Sequence, residues 1–112
     1  MTFDEFIARK FPNNSYVDFP EFSSLYLRKG KVYVTLDDEF TYIENIITVA
    51  AIEAENPGNG AWTRLVEFLT NRNYAIFVEC VHNTRFGNKL LQMGFKKVNE
   101  HTGDHYLLNH KK

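Results

Sequence analysis

The stretch Glu55-Asn56-Pro57-Gly58-Asn59-Gly60-Ala61-Trp62 has the residue types and spacing best suited to chemistry. It follows an apolar run, Asn45 to Ala54, and opens a run of helical periodicity, Ala61 to Arg72. A strand feeding a glycine-rich turn at a helix start is suited to holding an anion. The glycines let the backbone come close, and the first helical turn points unpaired N–H groups and a partial positive charge outward. Pro-Gly and Asn-Gly pairs also mark ordinary surface turns, so the neighbouring elements have to decide between the two. Other groups carry less. His101 and His105, with Asp104 between them, are metal-ligand types, but they lack a further well-spaced ligand, and an exposed turn with no metal is expected. Cys80 beside His82 suggests a thiol nucleophile, yet a buried structural cysteine is the plainer expectation. Arg85, Lys89, Lys96 and Lys97 form a basic group that suits a phosphate or an acidic partner, or simply a solvated face.

The elements that would position these residues read as follows. Thr2 and Glu5 form a capping box ahead of a short amphipathic helix bearing Phe3, Phe6, Ile7 and Phe11 and ending before Pro12. Asn13 to Pro20 reads as loop. Leu25 and Leu27, then Val32, Val34 and Leu36, alternate around Lys29-Gly30, which predicts a hairpin. Asp37-Asp38-Glu39 is a solvated acidic turn. Ile46 to Ile52 is apolar or small without alternation, as in a strand covered on both faces. Trp62, Leu65, Val66 and Leu69 mark one face of the helix that follows. Tyr74 to Val81 is a second β-rich run, and two strands joined by a helix imply a parallel, right-handed crossover. Asn83 caps a further helix carrying Phe86, Leu90 and Met93, closed by Gly94. Phe95 to Asn99 and His105 to Leu108 predict a final antiparallel pair. The order is helix, hairpin, strand, helix, strand, helix, hairpin, an α/β (α+β) fold with a mixed twisted sheet.

A chain of 112 residues is expected to form one domain, 1–112, with a packed aromatic-rich core. A net charge of −1 disfavours a general grip on nucleic acid. One cysteine cannot close an internal disulfide, which suits a reducing compartment. No run is long and apolar enough to span a bilayer and no secretory leader pattern opens the chain, so a cytoplasmic protein away from membranes is expected. Phe19, Phe22 and Phe40, in loop-like positions, are candidates for a homodimer face.

Two motifs together give the chain a family likeness. Glu55-Asn56-Pro57-Gly58-Asn59-Gly60 follows a strand, and Asn83 leads through a helix to Gly94-Phe95. In this order, with a strand between them, the motifs resemble those of the GNAT superfamily of acyl-CoA-dependent N-acetyltransferases, over Thr35 to Leu108. The amino-terminal region is shorter than in that family, and in size and closing hairpin the chain looks like compact bacteriophage members, which would place it in host cytoplasm. The resemblance implies acetyl-CoA as cosubstrate. Backbone N–H groups of Gly58, Asn59, Gly60 and Ala61 would cradle its pyrophosphate. Strand backbone around Ile52 would bind the pantetheine arm where the central parallel strands splay, with Asn83 near that arm. It also implies an N-acetyltransferase acting on a primary amine of a small molecule or protein, with Glu44 at the spacing of a catalytic glutamate, and Glu79 and Glu53 as rivals on the two parting strands. Leu90 stands where many members carry a tyrosine acid, and Tyr106 is the substitute. Glu55 replaces the family's Gln or Arg. With Leu90 and the short amino end, it motivates the alternative of a degenerate module acting by binding a protein, such as a host factor.

Overall fold

The computed structural model describes residues 1–9, 14–36, 38–56, 58–99 and 103–109. Their elements, in chain order, are α1 (Phe3–Ile7), β1 (Ser15–Tyr16), β2 (Phe22–Lys29), β3 (Val32–Leu36), β4 (Glu39–Ile43), β5 (Ile46–Ala54), α2 (Ala61–Asn71), β6 (Ala75–Val78), α3 (Thr84–Gln92), β7 (Lys96–Val98) and β8 (His105–Leu108). A six-stranded sheet runs β1-β2-β5-β6-β8-β7, and β3 and β4 form a separate two-stranded sheet. Only the central β5–β6 pair in the large sheet is hydrogen-bonded in parallel, so the fold is mixed α/β with three helices.

From β5 onward the expected order holds, for local reasons. Apolar residues recur three and four positions apart along α2, and Trp62, Leu65, Val66 and Leu69 are all buried. Asn83 Oδ1 accepts the Phe86 N–H at 3.1 Å and starts α3, while Gly94 follows its end at φ +98°. The β5–α2–β6 and β6–α3–β7 units step the same way across the sheet, so right-handed crossovers put both helices on one face. Side chains of α1, α2 and α3 accordingly share one core with Leu25, Leu27, Ile47, Val49, Ile76 and Val78. A second core on the opposite face joins Val34 of β3 to Ile46, Ala75, Phe77, Val98 and Leu107.

Before β5 the expected single hairpin is replaced. β2 does not pair with β3 across Lys29-Gly30; it pairs antiparallel with β5, from Phe22↔Ala54 to Lys29↔Ile47, and β3 pairs instead with β4. A turn signal between two alternating runs fixes only a reversal of the chain, whereas the partner of a strand is chosen by the apolar face it must cover. Covering the sheet's second face draws β3 away, and Asn99 holds it there: the Thr35 N–H donates to Asn99 Oδ1 at 2.6 Å and Asn99 Nδ2 to the Tyr33 carbonyl at 3.1 Å. β4 lies in a stretch read only as turn, and Ser15–Tyr16 of the expected loop forms an edge strand on β2. Lys29 reaches back to the end of α1, its Nζ donating to the carbonyls of Ile7 and Arg9. Phe11, Pro12 and Asp37 lie outside the described residues. Phe19 and Phe22 pack in the core region, Phe19 edge-on to Phe68 at 4.9 Å, leaving Phe40 as the exposed member of that trio. No helix among the described residues is long and apolar enough to cross a membrane.

Candidate functional site

The site begins where β5 and β6 part. Their ladder runs from Ile46↔Ala75 to Val49↔Val78, and β6 ends there while β5 continues to Ala54. At that point the pairing of β5 with β2 shifts, Leu27 facing Val49 but Tyr26 facing Ala51, which leaves Ala50 as an extra residue. A bulge of this kind bends and twists its strand, and it sits at the fork. Beyond it, residues 51–54 pair with β2 on one edge, and no described strand pairs with the other.

The chain then turns through Glu55 to Gly60 into α2. Gly60 occupies the cap position at φ +79°, ψ 12°, a left-handed conformation that glycine adopts without steric cost. No side chain caps the first N–H groups of α2, and no acidic residue stands in its first turn. Arg64 folds back over the turn, Nη2 donating to the Asn59 carbonyl at 2.6 Å and Nε to Glu21 Oε2 at 2.8 Å. A Cβ at position 60 would lie 3.1 Å from Arg64 Nη1. The backbone at the mouth of α2 is thus held by a cation with its donors left uncapped.

Between the free edge of β5, the mouth of α2 and the start of α3 lies a cleft of about 700 Å³. Ile52, Gly58, Gly60, Ala61 and Asn83, singled out from sequence, all line it. Asn59 does not; it is exposed, and its carbonyl is taken by Arg64. Trp62 and Phe86 form an apolar wall, edge to face at 5.3 Å, and Trp62 Nε1 is buried without a hydrogen-bond partner among the described residues. Arg85 and Lys89 add positive charge from α3, and Glu53 is the one carboxylate among the lining residues. Sequence reading assigned Trp62 and Phe86 to helix cores, with the turn-to-helix boundary next to Trp62 as the available signal, and it offered Arg85 and Lys89 either a phosphate or acidic partner or a solvated face.

The three residues expected to do catalysis are not in the cleft. Glu44 is exposed in the turn before β5, at the far end of that strand. Ten residues of extended chain separate it from Ala54, roughly 30 Å. Spacing back from the glycine turn carries no direction, and the length of β5 places Glu44 at its other end. Glu79 stands just past β6 at the fork, its N–H donating to the Val49 carbonyl at 3.3 Å. Its carboxylate is paired with Arg28 of β2 at 2.9 Å, half-buried, on the sheet face away from the helices. Tyr106 is buried in β8 beneath α3, and its hydroxyl lies so close to Gly87 that a Cβ there would meet it at 2.7 Å. Leu90 is fully buried, and Glu55 is exposed and outside the lining.

The remaining candidates resolve singly. Cys80 is exposed rather than buried, at φ +55° beyond the end of β6. Its N–H donates to Nδ1 of His105, which stacks on Phe77 at 5.6 Å. His101 lies outside the described residues, and Asp104 pairs with Lys97 at 3.3 Å. No metal-ligating cluster occurs among the described residues. Compared with protein-family models, curated proteins and solved structures, the chain matches none of them.

Proposed function

We propose that this protein is an N-acetyltransferase of GNAT type that binds acetyl-CoA in the cleft and transfers the acetyl group to a primary amine. The observation that carries the proposal is the convergence on one cleft of an uncapped helix start, a free strand edge and a bulge that opens the fork between parallel strands. The residues present fit the cosubstrate. N–H groups at Gly60 and Ala61 suit a diphosphate, the 50–54 edge suits an amide-bearing arm, and Trp62 and Phe86 supply apolar contact. Acetyl-CoA would supply a thioester whose C–S bond breaks as the amine nitrogen forms its C–N bond. The chain must orient that carbonyl, exclude water and take the amine proton. Glu79, on the opposite face of the fork, is the carboxylate proposed to accept that proton, with Arg28 positioning it. Ala51 and Glu53 are exposed on that face, so an amine can approach there.

A second reading, a GNAT-type module that acts by binding a protein partner, is favoured by one observation. Tyr106 is buried under α3 and Leu90 is in the core, which leaves no phenol among the lining residues to protonate a leaving thiolate. Titration with acetyl-CoA separates the readings, with Trp62, the only tryptophan, as the fluorescence reporter. Micromolar binding with release of free thiol in the presence of an amine panel and cell lysate is expected, and Glu79→Gln should keep binding and lower turnover. Binding weaker than about 1 mM, a free energy of only about −4 kcal/mol, with no thiol released, would replace the enzyme by the module.

A further inference from the structure

The sheet face away from the helices carries a different set of groups at the fork. β1, β2 and β5 run side by side there, and their register sets Tyr16, Tyr26 and Ala51 in one row across them. Leu25 and Leu27, on either side of Tyr26, are buried in the helix-side core, so strand alternation turns the row to the opposite face. Tyr16 is 67% exposed, and its ring lies beside that of Tyr26 with centroids 4.5 Å apart. Ala51 is exposed and brings only a methyl group, and the strand edge beyond it is unpaired among the described strands. Carboxylates stand on both sides of the row. Two residues along β5 is Glu53, exposed, accepting from Ser23 Oγ at 2.7 Å and absent from the ion pairs of the described residues. Two residues the other way along β2 is Arg28, whose charge is taken by Glu79 at 2.9 Å. The cation–ring contacts of the described residues are Lys31 over Tyr42 and Arg72 over Phe68, so no cation there covers Tyr16 or Tyr26. Stacked phenol rings between two carboxylates, with the neighbouring guanidinium already neutralised, favour a positive charge.

We propose that the acceptor is a dication, an aliphatic diamine whose far ammonium rests on the Tyr16–Tyr26 rings and pairs with Glu53 while its near nitrogen reacts at the fork. The inference rests on the acyl-CoA reading and adds to it the class of amine. The backbone of β2 and the line of β6 are two strand spacings apart, roughly 10 Å, which a flexible methylene chain can bridge. The near nitrogen, unprotonated, forms its C–N bond to the acetyl carbon as the C–S bond breaks. Its surplus proton passes to Glu79, the sulfur leaves as CoA thiolate, and the far ammonium keeps its proton and its charge. Tyr16, Tyr26 and Glu53 thus set which amine is held, and Glu79 acts on the nitrogen that reacts.

The test measures thiol release by the full chain with acetyl-CoA and three acceptors: 1,6-diaminohexane, hexylamine and 2-phenylethylamine. The diamine is expected to exceed hexylamine in kcat/KM by roughly tenfold, the scale of an exposed cation–π contact together with a surface ion pair. Tyr16→Leu should bring that ratio down to about threefold or less, through a higher KM for the diamine rather than a lower kcat, with an unaltered circular dichroism spectrum. Tyr16→Phe keeps the ring and should keep the preference. Equal kcat/KM for the diamine and hexylamine overturns the dication and leaves the acyl-CoA reading intact. Preference for 2-phenylethylamine also overturns it, because the rings would then be selecting another ring. So does a ratio that stays the same in Tyr16→Leu. If none of the three acceptors releases thiol the inference falls, and the acetyl-CoA titration decides separately whether the reading beneath it stands.

Discussion

Two helices of this protein start on opposite plans. At α1 every device is internal: Thr2 Oγ1 accepts the Glu5 N–H at 3.1 Å, Glu5 Oε1 accepts the Thr2 N–H at 2.9 Å, and Asp4 and Glu5 sit in the first turn. At α2 there is a left-handed glycine, no capping side chain and no acid in the first turn. The first plan stabilises a short helix by satisfying its own donors. The second leaves donors and a positive dipole end turned to a cleft whose walls add Arg85 and Lys89. A helix start that is poor for stability and rich in positive potential is what an anion site requires. The same contrast divides β5, zipped on both edges at 47–49 and open on one at 51–54.

The sharpest way to break the comparison is Gly60→Val. A β-branched residue at φ +79° is strained by roughly 1–3 kcal/mol and places its Cβ against Arg64, so CoA affinity should fall by at least tenfold in a chain that still folds. Unchanged affinity by calorimetry in the folded variant would reduce the turn to a connection. Thr2→Ala acts on the other helix start; it should cost about 1 kcal/mol in denaturant unfolding and leave CoA affinity unaltered. Thr63→Glu, at the third position of α2, should move two quantities in opposite directions. An acid there stabilises the helix by roughly 0.3–1 kcal/mol while it repels an anionic ligand, so thermal stability rises and CoA affinity falls. Both rising together would mean that nothing negative binds at that end.

The smallest effect is one of pH. The Thr2 backbone N–H, and after it the Thr2 hydroxyl, hold the Glu5 carboxyl below its ordinary value of 4.5. A depressed folded-state pKa contributes stability above 4.5 that is lost as pH falls through the lowered value. The difference in melting temperature between the parent chain and Glu5→Gln should therefore shrink below that pH.

How much of this was legible in the sequence depended on the range of the interaction. The cap at Thr2, the cap at Asn83, the buried stripe of α2 and the crossover strands rest on residues within a turn or two of one another, and local pattern is enough to read them. The pairing of β2 with β5 depends on which face needs cover, which Lys29-Gly30 does not encode. β4 hid for a related reason. Tyr33, Phe40 and Tyr42 lie exposed on its sheet's outer face, Tyr33 stacked on Phe40 at 5.5 Å and edge-on to Tyr42 at 5.8 Å, so the aromatic residues point to water and the usual alternation is masked. The turn-and-helix half of the candidate site was legible because a turn and the helix it opens are contiguous. The relative placement of the three catalytic candidates was not, because strand direction and sheet face send Glu44, Glu79 and Tyr106 to a far end, an opposite face and a buried layer.

The most direct measurement is a titration of the isotope-labelled chain with acetyl-CoA, followed by backbone amide resonances. The amides of Gly58, Gly60, Ala61 and residues 52–54 should shift in a saturable way while those of Glu44, Asn45 and Ile46 stay in place. No shift at the start of α2, or shifts confined to the Tyr33, Phe40 and Tyr42 face, would contradict a cleft built to receive a diphosphate.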